Sequence, residues 1–493
     1  MTMELLSYKT LRDQGYDGYL LPEAPVKVLQ FGEGNFLRAF VDYFIDVMNE
    51  KAGFNGKVVL TQPIAPGLAP MINAQEGLYT LFLRGRENGE KVNRKRVISC
   101  VKSCNNPYED FQGLLDQAKN PDLRFLVSNT TEAGIVFDPA CKFDDTPPAS
   151  FPGKLTVFLH QRWQQGLKGF VILSCELIDH NGDELKRCVQ EYIKLWGLED
   201  DFAAWVDREN VFCSTLVDRI VTGYPRKEAE AICQELGYQD NIIDTAEVFG
   251  FWVIEGPQWI KDEFPFEKAG LPIIVVDDHT PYKQRKVRIL NGAHTSMVLG
   301  AYLAGKDIVR QCMEDATIRD FMNKTIFDEV IPTLDLPKDE LTEFAGSVID
   351  RFNNPYIDHQ LLDISLNSTA KWKARVMPSL TEYYKRLGKL PRCITFSFAA
   401  YIAFYHTARE KGENCLIGRR GEGTYNIKDD DWTLDFYLQH KDDDLKTLAH
   451  AVIHNDRMWG DTLANLPGFE AAVVEALEAI QAKGMYEAMK ACL

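Results

Sequence analysis

Three polar side chains within one helical segment have the types and spacing that proton transfer requires. Lys286, Asn291 and His294 lie in a stretch whose apolar residues recur at helical spacing. At about 100° per residue, Lys286 and His294 fall within the apolar stripe and Asn291 falls at its edge. A desolvated lysine can act as a base near neutral pH, and an amide and an imidazole can hold and polarise an oxygen. The segment therefore predicts a site that holds a hydroxyl or carbonyl group and moves its proton.

The same segment also allows a simpler interpretation. Lys286 could stand at the start of the helix with its amine in water, and His294 could be a core histidine with satisfied hydrogen bonds. Along a regular helix these two residues are about 12 Å apart, so only a ligand between them could unite them. The predicted apolar stripe consists of Val287, Leu290, Met297, Val298 and Ala301, and the predicted opposite face of Arg288, Thr295 and Ser296.

The elements that must position this segment belong to a long and acidic chain. Its 493 residues are too many for one hydrophobic core, which predicts two domains. The formal net charge of −17 argues against nucleic acid and anionic membrane as partners, since both require basic surfaces. The sequence shows no run of about 20 apolar residues and no secretory leader pattern, and its 11 cysteines are scattered. These features predict a cytoplasmic protein with reduced cysteines.

The first half of the chain alternates short apolar strands with helical patterns. A strand at 26–31, a glycine turn, a helix over about 36–49 and a strand at 57–61 form a βαβ unit. Further strands are predicted at 123–128, 169–175, 211–214, 251–254 and 272–276. After about residue 280 the periodicity is almost wholly helical. We therefore predict an α/β, Rossmann-type N-terminal domain with a largely parallel sheet over residues 1–278, and a mostly α-helical C-terminal domain over residues 279–493.

The turn after the first strand reads Gly32-Glu33-Gly34. A Gly-x-Gly turn between a strand and a helix lets backbone N–H groups approach a pyrophosphate, so this turn indicates dinucleotide binding. A plain tight turn is the alternative, because Leu37 occupies the third glycine position of the full fingerprint.

Two further strand ends bear on the cofactor. The second strand ends at Thr61-Gln62-Pro63, which offers neither an acidic residue for a ribose nor an arginine for a 2′-phosphate. We predict NAD rather than NADP. Asn129 and Thr130 follow the strand at 123–128, and they are either a second edge of the cofactor site or a polar loop.

Several motifs resemble those of the polyol-specific long-chain dehydrogenases, the mannitol dehydrogenase family. They are Phe31-Gly-Glu-Gly-Asn-Phe-Leu-Arg-Ala39, Gln75-Glu-Gly-Leu-Tyr-Thr80, Val217-Asp-Arg-Ile-Val221, Lys286-x4-Asn291-x2-His294, Arg351-Phe-x-Asn-Pro355 and Lys371. The resemblance implies a metal-independent, NAD-linked alcohol dehydrogenase. Lys286 would be its general acid/base, while Asn291 and His294 would hold the reacting oxygen. The residues of the first motif that would contact the cofactor are Phe31, Gly32, Gly34, Asn35, Phe36 and Arg38.

Departures from the family pattern indicate a substrate other than mannitol. Glu176-Leu177 replaces the Asp-Asn of mannitol-type members, Asp363 replaces an arginine of many members, and Asn367-Ser368-Thr369 replaces Asp-Gly-Ser. The resemblance of the whole pattern implies a small-molecule substrate, a keto sugar acid that is reduced to its hydroxy acid. The predicted substrate-binding residues are Lys371, Arg375 and Asp218.

Rival interpretations remain for this substrate and for the activity. Alternatively, Lys371, Lys373 and Arg375 are solvent-exposed surface residues that bind no substrate. A mannonate, mannitol or mannitol-phosphate dehydrogenase is the alternative within the family. A non-catalytic NAD sensor is disfavoured, because a sensor has no use for an ionisable residue on an apolar helix face.

A pair of histidines near the C-terminus has a spacing found in metal sites. His450 and His454 stand one helical turn apart. No acidic third ligand follows them, and the family resemblance implies no metal, so we predict no metal site. No feature of the sequence indicates an oligomeric state.

Overall fold

The computed structural model describes residues 3–131 and 133–493, and it divides the chain into two units. The first unit contains the residues up to 84 and residues 92–279, and the second contains residues 85–91 and 280–493. The predicted boundary, between residues 278 and 279, lies one residue before this break. The association of residues 85–91 with the second unit has no counterpart in the sequence pattern.

The first unit is built on an eight-stranded sheet and a smaller sheet. The strands are β1 Val26–Phe31, β2 Lys57–Thr61, β3 Tyr79–Glu87, β4 Glu90–Ile98, β5 Val101–Asn105, β6 Phe125–Ser128, β7 Val171–Ser174, β8 Val211–Asp218, β9 Asp244–Glu247, β10 Phe251–Glu255 and β11 Ile273–Val276. The main sheet has the order β11-β10-β8-β7-β6-β1-β2-β5. Its neighbouring strands are parallel, apart from the antiparallel pair of β8 and β10. The smaller sheet has the order β4-β3-β9.

The central strands are apolar on both faces, because helices cover both sides of the sheet. In β7, Val171 and Leu173 belong to one hydrophobic cluster, while Ile172 belongs to the cluster on the opposite face. The helices of this unit are Tyr8–Asp13, Asn35–Leu37, Arg38–Asp42, Tyr43–Ala52, Ala69–Ala74, Phe111–Gln117, Phe151–Gln164, Asn181–Trp196, Asp200–Glu209, Ala229–Leu236 and Ile260–Glu263.

The direction of the strand connections reverses at the middle of the main sheet. Strand β1 pairs with β2 on one side and with β6 on the other, and Phe31 is in register with Ser128. The carboxyl ends of β1 and β6 therefore flank a crevice of the kind in which open α/β sheets bind ligands. The glycine turn and residues 129–130 lie at these two strand ends.

The second unit is mostly helical, which confirms the predicted fold class. Its helices are Thr280–Arg285, Lys286–Asn291, Gly292–Leu303, Val309–Glu314, Ala316–Lys324, Thr325–Val330, Ile331–Thr333, Lys338–Phe352, Leu361–Ile364, Ser368–Arg375, Met377–Leu387, Arg392–His406, Asp431–Gln439, Leu445–Ile453, Asp456–Trp459, Phe469–Lys483 and Met485–Lys490. The sequence pattern missed one antiparallel three-stranded sheet, formed by β12 Glu410–Gly412, β13 Cys415–Arg420 and β14 Gly423–Ile427.

Each of the 11 cysteines is a free thiol, and all but Cys492 are buried. Over residues 3–131 and 133–493, the structure contains no helix with the length and apolar character needed to cross a membrane.

Candidate active site

The glycine turn after β1 leaves an open space beside the backbone. Gly32 has a φ of +128°, and a Cβ there would lie 3.0 Å from the carbonyl oxygen of Asn129, so only glycine suits this position. Gly34 has an ordinary φ of −67°, and among the described residues a Cβ on Gly34 would meet no atom within 4 Å. Gly34 also caps the following helix without a side-chain hydrogen bond, which leaves backbone N–H groups for an anion.

Two residues predicted to contact the cofactor are parts of the core. The Phe31 ring is buried and packs against Phe151 with ring centroids 4.9 Å apart. Arg38 is only 1% exposed. Its guanidinium donates hydrogen bonds to the carbonyl oxygens of Glu33 at 3.1 Å and Ile242 at 2.7 Å, and to Asn35 Oδ1 at 2.7 Å. The buried side chains of Phe31 and Arg38 therefore shape the turn, and a contact of either residue with a cofactor stays a prediction.

The other two side chains of the turn are more accessible. Asn35 is exposed beside the open space at Gly34, and Phe36 is half-buried. The Phe36 ring stacks on Phe40, with ring centroids 5.1 Å apart. A cofactor site at this turn would therefore use the backbone around Gly34 and the side chains of Asn35 and Phe36.

The strand end at β6 is fixed by Glu176, a residue to which the sequence analysis gave no role in the site. The Glu176 carboxylate accepts hydrogen bonds from the Thr130 backbone N–H and hydroxyl, both at 3.0 Å, and from the Ser128 hydroxyl at 3.1 Å. Asn129 Nδ2 donates to the Cys175 carbonyl oxygen at 2.7 Å. Burial raises the pKa of Glu176, and these hydrogen bonds oppose the rise. Thr130 thus serves the shape of this edge, and its hydroxyl is already engaged.

The Val-Asp-Arg-Ile motif joins β8 to the helix that follows the glycine turn. Arg219 donates hydrogen bonds to the carbonyl oxygens of Ala39 at 2.6 Å and Phe249 at 2.9 Å. Asp218, predicted to bind substrate, is buried at the end of β8 in the first unit. The motif therefore holds the helix that follows the turn through Arg219, and Asp218 is the buried last residue of β8.

The helix that carries Lys286 is not a regular α-helix. Residues Lys286–Asn291 form a π-helical turn, which continues into the α-helix Gly292–Leu303. π turns of this kind occur frequently at functional sites. A π turn accommodates one residue more than an α turn, and this extra residue shifts the phase of the helix. Lys286 and Asn291 are both half-buried.

The predicted division of this helix into an apolar stripe and a polar face is wrong. Thr295 and Ser296, placed on the exposed side by the sequence pattern, are both buried. The segment Gly292–Leu303 packs against several neighbours, including the helices Arg392–His406 and Ser368–Arg375, so it is buried almost all around. Helical periodicity carries little information about such a central helix.

His294 has a buried ring nitrogen without a hydrogen-bond partner among the described residues and a lowered pKa. This nitrogen is Nε2. The ring stacks on Phe352, with centroids 3.9 Å apart and planes 10° apart. Burial is the main cause that holds the pKa of His294 well below its usual range, and nearby positive groups add to it. An unpaired buried polar atom costs about 1–3 kcal/mol, which a ligand oxygen at Nε2 would offset.

Four neighbouring groups contribute to the lowered pKa of His294: the His359 imidazole, Arg351, Arg375 and Lys371. Two of them, Lys371 and Arg375, are predicted substrate-binding residues. Burial also lowers the pKa of Lys371, with Arg375 as the second cause, and burial lowers the pKa of Arg375. Lys371 Nζ donates a hydrogen bond to the Ile364 carbonyl oxygen at 2.9 Å. Lys371 and Arg375 are thus half-buried cations that act on His294 in a protein of net charge −17, whereas Lys373 is exposed.

The histidine pair His450 and His454 has an acidic neighbour, which the sequence analysis did not predict. Glu470, from the helix Phe469–Lys483, contacts both imidazoles. A separation of 16–20 residues along the chain hid this carboxylate from a search for neighbouring ligands.

A largely parallel sheet with a glycine turn at its switch point is typical of the dinucleotide-binding domain of an oxidoreductase. Residues 26–268 match the family model described as mannitol dehydrogenase Rossmann domain, and residues 278–481 match the mannitol dehydrogenase C-terminal domain. The chain belongs to the mannitol dehydrogenase family.

Curated relatives match the chain over nearly its full length. The altronate oxidoreductase of Pectobacterium carotovorum subsp. carotovorum (strain PC1) is 46% identical over 497 residues, which cover 98% of this chain and 99% of the relative. The altronate oxidoreductase of Enterobacter sp. (strain 638) is 46% identical over 492 residues, with the same coverage.

Two solved structures share the fold. A D-sorbitol dehydrogenase in substrate-free form has a TM-score of 0.80 and 23% sequence identity, and the match covers 98% of this chain and 100% of that one. The Pseudomonas fluorescens mannitol 2-dehydrogenase, in a ternary complex with NAD and D-mannitol, has a TM-score of 0.66 and 21% identity, with 99% coverage of both chains. At these identities the likeness concerns the fold alone.

Proposed function

We propose that this oxidoreductase uses NAD to interconvert a keto sugar acid and its hydroxy acid, with tagaturonate and altronate as the pair. One observation carries the choice of an acid: the half-buried cations Lys371 and Arg375 lie near enough to His294 to lower its pKa, and the buried Nε2 of His294 has no hydrogen-bond partner among the described residues. The names of the curated relatives, altronate oxidoreductases at 46% identity, agree with this choice.

The glycine turn fits the pyrophosphate of a dinucleotide. The open space at Gly34 is what a bound phosphate would fill, and the adjacent backbone N–H groups would donate to it. NAD supplies the hydride acceptor, and in its reduced form the hydride donor. Gln62, at the end of β2, is buried and hydrogen-bonds to its own loop, and no cation follows it, so we favour NAD over NADP.

Lys286, Asn291 and His294 would divide the work on the reacting oxygen. In the reductive direction the substrate carbonyl gains a hydride, and Lys286 gives a proton to the oxygen that develops charge. The Asn291 amide would hold this oxygen. His294 would hold it through Nε2, whose neutral state follows from burial and from the surrounding positive charge.

The substrate carboxylate would bind the cations near His294. A charge-assisted hydrogen bond in a desolvated pocket is worth about 1.5–3 kcal/mol, so a correctly placed cation separates an acid from a neutral sugar. Lys371 is our first choice, because its ammonium makes one hydrogen bond to Ile364 and has further N–H groups for a carboxylate. Arg375 is the second choice.

A panel of substrates tests the proposed reaction. NADH oxidation is measured with tagaturonate, fructuronate, fructose and fructose 6-phosphate at equal concentrations. We expect tagaturonate to give the highest kcat/KM and fructose the lowest. A preference for fructuronate would retain the acid but replace the sugar, and a preference for fructose or its phosphate would contradict carboxylate recognition.

Replacing Gly34 with valine tests the cofactor site. A Cβ at Gly34 meets no atom of the described residues within 4 Å, and the valine would occupy the space proposed for the pyrophosphate. We therefore expect a sharp rise in the KM for NADH and an unchanged circular dichroism spectrum. Gly346→Val is the matched control, because a Cβ at Gly346 also meets nothing within 4 Å. An unchanged KM in Gly34→Val would place the nucleotide elsewhere.

A further inference from the structure

A cluster of two imidazoles and one carboxylate lies at the surface of the second unit, where two helices meet. His450 lies in the last turn of the helix Leu445–Ile453, and His454 follows it as the C-cap. Glu470 lies in the first turn of the helix Phe469–Lys483. His450 Nδ1 is 3.2 Å from Glu470 Oε1, and His454 Nε2 is 3.0 Å from Glu470 Oε2. The proposed reaction uses none of these three side chains.

We propose that His450, His454 and Glu470 form a binding site for a divalent transition-metal ion, with Zn²⁺ as the ion of best fit. Imidazole nitrogens and carboxylate oxygens are ligands that Zn²⁺ accepts, and two histidines one helical turn apart are a frequent arrangement. The three ligand atoms lie within 4.8 Å of one another. Bonds of about 2.1 Å around a tetrahedral ion require ligand separations of roughly 3.4 Å, so small side-chain rotations suffice.

The surroundings of the cluster suit an ion that enters from solvent. The side chains of His450, His454 and Glu470 are 61%, 41% and 35% exposed, so water can complete the coordination. The Glu470 carboxylate already contacts both imidazoles, so the three side chains converge on one point at the surface.

The ion would act as a link between two helices that already pack together. The helix Leu445–Ile453 contacts the helix Phe469–Lys483, and the chain between them runs through a short helix and loops. A metal bound to both helices closes this segment into a ring and stabilises only the folded chain. The expected consequence is a metal-dependent unfolding temperature that is independent of the reaction.

Zinc binding is tested on the full chain after treatment with a chelator and removal of the chelator. Titration with ZnCl2 is followed by calorimetry, CoCl2 is followed by visible absorption, and Tm is measured with and without ZnCl2. We expect binding of one ion at this cluster, a tetrahedral Co²⁺ spectrum and a higher Tm with zinc. Removal of a second-shell partner lowers affinity roughly 10–100-fold, and we expect His454→Gln and Glu470→Gln to lose at least as much.

His440→Gln is the matched control. His440 is also a helix C-cap whose ring contacts a carboxylate, with Nδ1 at 2.7 Å from Asp443 Oδ2, but its pair lacks a second imidazole. The control is expected to bind zinc like the unmodified chain. Equal zinc affinity in the unmodified chain, His454→Gln and Glu470→Gln would overturn the proposal, as would the absence of binding by the unmodified chain. The Tm measured without metal shows whether each variant is folded.

Discussion

Replacement of Lys286 by alanine is expected to lower kcat by about 10²–10⁴-fold, the usual loss when a general acid/base is removed. The KM for NADH should change little, because the proposed pyrophosphate site lies at the glycine turn of the first unit. Steady-state kinetics with tagaturonate measures both quantities. Fluorescence titration with NADH checks cofactor binding separately.

Lys286→Arg separates proton transfer from simple electrostatic attraction. Arginine keeps the positive charge and a similar length, but its guanidinium does not release a proton near neutral pH. A general acid/base role predicts that Lys286→Arg is as inactive as Lys286→Ala. If Lys286→Arg retains most of the turnover, then charge alone matters, and near-normal kcat in Lys286→Ala would make the lysine structural.

The second large effect is expected at the proposed carboxylate site. Lys371→Met removes an ammonium from the cationic surroundings of His294 while keeping an unbranched side chain. Loss of about 1.5–3 kcal/mol of binding corresponds to a roughly 10–150-fold rise in the KM for tagaturonate. The kcat for tagaturonate and the turnover of a neutral ketose should change little, because neither depends on binding the carboxylate.

Lys373→Met is the control for charge removal on the same helix, because Lys373 is exposed and is not among the main causes of the lowered pKa of His294. It should behave like the unmodified enzyme. Equal impairment of acid and neutral substrates by Lys371→Met would point to the fold, since the Lys371 ammonium also hydrogen-bonds to Ile364. In that case Arg375 becomes the first candidate for the carboxylate.

Much of the first unit could be predicted from its sequence because parallel strands covered on both faces appear as short apolar runs. Strands β1 and β2 begin and end where the pattern places them. Strands β3, β4, β5 and β9 were missed. Strand β4 is polar and largely exposed, so its apolar signal is weak. The sheet β12–β14 was missed for a similar reason, because its strands are short and contain both exposed and buried residues.

The parts of the site that escaped prediction depend on contacts between distant residues. Glu176 holds Ser128 and Thr130 from the end of the next strand of the sheet, and no local pattern shows this. The burial of Thr295 follows from helices that pack around its own helix. The lysine, amide and histidine could be recognised earlier because their spacing lies within one segment of chain.

Because of the π turn at Lys286–Asn291, the number of residues between Lys286 and His294 is as important as their identity. One surplus residue is accommodated there, and deletion of a single residue would allow a regular α-helix to form. Such a deletion would turn Lys286 about 100° around the axis relative to His294 while every active-site side chain remained present. Insertions and deletions, rather than substitutions, would then be the changes that this segment tolerates least, and alignments of distant relatives should keep the count of residues from Lys286 to His294 constant.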